Sequence, residues 1–137
     1  MAKKIDKTLG AEDITLLKHL ITIELRRLCE ENSIDIVLFM GIDGRIFSAH
    51  IPERLTNTQF HLLNLIKINI PHICGQLQTE NLKVSVQQFK EGSIIISGIG
   101  DNAFLVSLIG KNVQVSQIRD TMDAVVTAGA VLKHILE

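Results

Sequence analysis

Directly after an apolar run, Gly98-Ile99-Gly100-Asp101-Asn102-Ala103 spells G-x-G-x-x-A, the nominal fingerprint of a dinucleotide site. That chemistry needs a helix N-terminus next, so that free amides and the helix dipole hold the pyrophosphate. Phe104-Leu105-Val106-Ser107-Leu108-Ile109 comes next instead, a strand pattern, so the glycines read as a hairpin. Gly110-Lys111-Asn112 is likewise a poor phosphate loop, because Asn112 replaces the Ser or Thr that would hold Mg²⁺ and Leu105 replaces the leading Gly. The five histidines, His19, His50, His61, His72 and His134, invite a metal. His61 and His72 share a predicted helix but stand roughly 16 Å apart along it at 1.5 Å per residue. No His-x-x-x-His, Cys-x-x-Cys or Glu-x-x-His spacing occurs, so no metal and no cofactor is expected. There is no G-x-S-x-G; Ser48, Ser85, Ser93, Ser97, Ser107 and Ser116 have ordinary strand or cap explanations, and Asp43 and Asp101 fall in turns. The expectation is a protein that is not an enzyme.

The composition agrees with a packed domain. The chain has 137 residues, 46% hydrophobic, with a net charge of −1 and neither Trp nor Tyr. That length makes one domain with a sizeable core. A balanced charge argues against phosphate-backbone binding, and no aromatic ladder offers a stacking platform, so nucleic acid is set aside. No apolar run reaches the roughly 20 residues of a membrane span, and no signal-peptide core follows the basic start, so a cytoplasmic location is expected. Cys29 and Cys74 lie far apart in separate helical segments; free thiols are expected, with a disulfide as the alternative.

Residues 1–10 read as a polar tail and 11–137 as a single domain. Ile14, Leu17, Leu20, Ile21, Leu25 and Leu28 recur at helical spacing and predict a helix from Ala11 to about Glu31. Two apolar runs, Ile34–Met40 and Arg45–Ile51, flank Gly41-Ile42-Asp43-Gly44, a hairpin signal because Gly44 accepts positive φ. Thr56 and Gln59 have capping-box spacing, with Leu55 and Phe60 as the matching staple, so a second helix begins there and runs to about Leu77. Pro71 should kink it, or end one helix and start another. Leu82–Phe89, Ser93–Ile99 and Ala103–Ile109 are joined by connections short enough only for antiparallel hairpins. A last helix spans about Gln114 to Leu136. The order is α-ββ-α-βββ-α, an α+β fold with a five-stranded antiparallel sheet between helices.

The second helix has more apolar surface than one face can bury. Leu62, Leu63, Ile66, Ile70, Ile73, Cys74 and Leu77 form its core stripe. His61, Leu65, Ile68 and His72 form a second stripe at steps of four, three and four, the spacing of a helix–helix seam. Either the helix is buried on two sides by its own domain, or this stripe meets a partner. The next strand, with Lys83, Val84, Ser85, Val86 and Gln87, is regular and free of proline, a template for strand addition. Seam and edge together suit a two-fold dimer that continues the sheet across chains.

This layout resembles the roadblock/LC7 (dynein light-chain roadblock) family. The resemblance rests on Ile36–Ser48 with its Gly41-Ile42-Asp43-Gly44 turn, the long helix after it, the strands through Gly92-Ser93-Ile94-Ile95-Ile96, and Gly110-Lys111-Asn112 leading into the final helix. It covers about residues 11–136, and the single-domain layout is closer to prokaryotic and archaeal members than to the motor light chains. The resemblance implies a non-enzymatic dimer with sheets joined edge to edge and second helices adjacent, serving as a platform for a Ras-like small GTPase whose hydrolysis it can modulate. Carried over by position, the interface falls on His61, Leu65, Ile68, His72 and Lys83–Gln87. The alternative is a small-molecule sensor with a pocket between the sheet and the Pro71 helix.

Overall fold

The computed structural model describes residues 11–79, 83–90, 92–100, 102–110 and 115–136. Helix α1 (Ala11–Asn32) leads into strands β1 (Ile36–Gly41) and β2 (Ile46–His50), and then into helix α2 (Asn57–Thr79). Strands β3 (Val84–Phe89), β4 (Gly92–Ile99) and β5 (Ala103–Gly110) come next, and helix α3 (Val115–Leu136) closes the chain. The anticipated order holds. The polar tail at 1–10 and Leu82 lie outside the described residues.

All pairings in the sheet are antiparallel, in the spatial order β2-β1-β5-β4-β3. The three well-buried strands, β1, β5 and β4, are therefore interior, and β2 and β3 are the edges. Alternation sorts each interior strand between two cores. Val37, Phe39, Ile95, Leu105 and Ile109 meet Leu25 and Leu28 of α1 and Val125 and Leu132 of α3 on one face. Ile36, Leu38, Ile94, Ile96, Phe104 and Val106 meet Leu62, Ile66 and Ile73 of α2 on the other. The run Ile94-Ile95-Ile96 is apolar without interruption because helices cover both its faces.

Local chemistry sets the turns. Gly44 adopts φ +86°, its N–H donates to the Gly41 carbonyl at 2.9 Å, and the Asp43 carboxylate accepts from the Arg45 N–H at 3.0 Å. The sheet then bulges between Phe39 and Met40, which sets the Phe47 ring edge-on to Phe39 with centroids 5.4 Å apart. Gly41 leaves room for that ring: a Cβ there would lie 2.8 Å from it.

Helix α2 runs on through Pro71, so the alternative of one helix ending and another starting there falls away. The capping box forms, with the Thr56 N–H donating to Gln59 Oε1 at 2.9 Å and the Gln59 N–H to Thr56 Oγ1 at 3.1 Å. The staple does not bury Phe60, which stays 58% exposed, while Leu55 packs into the α2-side core.

Candidate dimer and partner interface

The two flanks of α2 look toward opposite ends of the sheet. One carries Ile70 and Cys74: a Cβ on Gly44 would touch Ile70 at 3.6 Å, and Asp43 acts on the Cys74 thiol. That flank adjoins the β1–β2 turn. Projected at 100° per residue, Leu65, His72, His61 and Ile68 lie on the other flank, toward β3. Among them His61 and His72 are exposed, and Ile68 is 75% exposed. Leu65 differs from the expectation that it stands clear of the core: it is half-buried against the α2-side cluster.

Strand β3 borders this flank as a regular edge, in unbroken register with β4 from Val84↔Ser97 to Phe89↔Gly92. Lys83 lies just before it and accepts a hydrogen bond from the Gly98 N–H at 2.8 Å. Hydrogen-bonded pairs alternate in an antiparallel ladder, so Ser85 and Gln87 also turn their backbones toward β4. The N–H and C=O groups of Val84, Val86 and Gln88 turn outward, away from the sheet.

The side chains of β3 alternate, and the valines are the more exposed set. Val84 and Val86 are each 37% exposed, whereas Ser85 and Gln87 are half-buried. Register explains this. Val86 pairs with Ile95 and so faces the α1–α3 side, where α3 lies over β4 and β5 and stops short of β3. A groove of about 460 Å³ results, lined by Lys83, Val84, Ser97, Gly98, Ile99, Gly100, Val126, Gly129, Ala130 and Lys133. The sensor alternative called for a pocket against the Pro71 helix, but this groove is on the opposite face. Sequence reading missed it, since helical periodicity places Gly129 on the packed face of α3 without showing how far the helix reaches across the sheet.

The remaining candidates for chemistry stay apart. Cys29 packs in the α1–α3 core and Cys74 against the α2-side core, so the sheet separates the two free thiols. Burial pushes the Cys29 thiol up to about 12, with Asp35 and Glu30 adding to it. Burial, and then Asp43, raises Cys74. Among the described residues no three His, Cys, Asp or Glu side chains gather as a metal site would need. No described helix is long and apolar enough to cross a membrane.

No family model matches the chain, and no curated protein is similar to it in sequence. Comparison of structures does find relatives in shape. A structure of MglB with a tetrameric arrangement superposes with a TM-score of 0.65 at 14% identity, covering 98% of this chain and 96% of that one. The gliding protein MglB from Thermus thermophilus gives 0.62 at 13% identity, covering 95% and 96%. A roadblock/LC7 domain from Streptomyces avermitilis gives 0.52 at 13% identity, covering 78% and 92%. At these identities the likeness is one of architecture, and with the element order α-ββ-α-βββ-α it shows that this chain has the roadblock/LC7 fold.

Proposed function

We propose that the protein is a non-enzymatic homodimeric scaffold that binds a Ras-like small GTPase and regulates it. One observation carries the dimer: the exposed flank of α2 and the open edge of β3 lie on the same side of the domain. The outward backbone groups of Val84, Val86 and Gln88 complement themselves in an antiparallel pairing centred on Val86, with Val84 opposite Gln88. That register sets Lys83 opposite Phe89 rather than opposite another lysine. The sheet would continue across two chains, with Ile68 of each α2 brought toward the other. The GTPase rests on the roadblock/LC7 fold and on the resemblance in sequence layout, which implies a GTPase platform.

Light scattering on a sizing column tests the dimer; a particle of 15.2 kDa at micromolar concentration would remove it. For the partner, the protein is immobilised and challenged with the organism's own small GTPases in their GDP and GTP forms. Retention in one nucleotide state supports the reading, and retention of none refutes it.

A further inference from the structure

Pairing through β3 leaves Val84 and Val86 unexplained, because their side chains lie on the face away from α2. Resting on that dimer, we propose that its α1–α3 face holds a trough that takes one amphipathic helix of a partner protein, with carboxylates near both ends of that helix. Pairing β3 with its copy places Val84, Val86 and Gln88 of both chains side by side as a floor. The walls are the two α3 helices, presenting Val126, which is exposed, with Gly129 and Ala130.

The width comes from strand spacing. α3 lies over β4 and β5, so four spacings of about 4.8 Å separate the two α3 axes, about 19 Å. Packed helices stand about 8–10 Å apart, so that gap admits one helix and not two. Gly100 is set by its turn, at φ +60°, but Gly129 is not demanded by packing within the chain: a Cβ there would meet Ile99 at 3.5 Å, an ordinary contact. Gly129 costs α3 about 1 kcal/mol relative to alanine and keeps the wall low.

Charge selects the occupant. Lys83 and Lys133 line one end of each groove, both exposed; among the described residues neither is in an ion pair and no acid lines the groove with them. The two-fold axis puts the second pair at the opposite end. The trough is thus apolar in the middle and cationic at both ends.

The probe is a fluorescent helical peptide of about five turns, built of Leu, Ala and Glu, with Leu along one face and Glu in its first and last turns. Its control carries Lys in place of Glu. Anisotropy should saturate at one acidic peptide per dimer, with the control at least about tenfold weaker, a difference of about 1.4 kcal/mol. Lys133→Glu should weaken binding by a similar factor without changing the oligomer, and Val126→Glu should do the same. A dimer that binds both peptides alike, or one peptide per protomer, overturns the trough and leaves the dimer standing. A monomer overturns both.

Discussion

Ile68 offers the cleanest measure of the dimer, because its side chain packs little within its own chain. It is 75% exposed, whereas Leu65 on the same flank also packs against the core. Fully burying an isoleucine is worth about 1.5–3 kcal/mol. Three-quarters of that remains to be gained on association, or about 1–2 kcal/mol per copy and about 2–4 kcal/mol per dimer. Ile68→Ala should therefore raise the dimer Kd by about 30- to 1000-fold. Folding stability of the separated protomer should move by no more than about 0.5 kcal/mol, as for other exposed positions. Leu65→Ala serves as the contrast, since it should weaken both association and folding. Sedimentation over a dilution series gives Kd, and urea unfolding of dilute protein gives stability. A change in Kd below about fivefold, or roughly 1 kcal/mol, would show that this flank of α2 faces water in the assembly.

Thr56→Ala removes the acceptor that holds the Gln59 N–H at 3.1 Å and should lower stability by about 1 kcal/mol in urea unfolding. Ser107 Oγ is buried without a hydrogen-bond partner among the described residues, so Ser107→Ala should be neutral or raise stability by about 1 kcal/mol in the same assay. Cys29 keeps its proton up to about pH 12 in the fold against an ordinary value of 9.0, so its contribution to stability is complete below pH 9 and declines as pH rises toward 12. Unfolding free energy should fall by at most about 1.4 kcal/mol per pH unit across that window, and Cys29→Ala should flatten the slope.

The parts of the fold governed by neighbours in sequence were legible. The Asp43-Gly44 turn, the Thr56–Gln59 box and the close-set strands β3, β4 and β5 each come from residues a few positions apart, and the structure has all three. What depended on distant pairing was not. Alternation in β3 separates its valines from Ser85 and Gln87, but only the register Val86↔Ile95 says which set faces α3. Nor does periodicity reveal that α3 stops short of the edge, which leaves the valines half wet and opens the groove beside them. Leu65 falls outside the core stripe on a helical projection, yet it packs against the α2-side core. Such errors come from treating an element's face as a line, when burial depends on the width of the layer opposite.

The sheet has two edges, and their geometry says which one accepts a second chain. β2 meets β1 through a bulge at Phe39 and Met40, and the displaced Phe47 folds over Gly41. A bulged edge is twisted out of the flat register that strand addition needs. β3 has no such break and exposes an alternating row of backbone groups. Proline distinguishes the two sides of that strand, because it deletes a single N–H. At Val86 the N–H points away from β4, so Val86→Pro should leave the ladder to β4 in place and remove both central bonds of the proposed dimer, one from each chain, giving a folded monomer. At Ser85 the N–H points toward β4 opposite Ile96, so Ser85→Pro should cost about 3 kcal/mol or more of folding stability. Circular dichroism and light scattering on the two variants separate the effects. A Val86→Pro protein that still dimerises as tightly as the parent would show that the chains do not join through this edge.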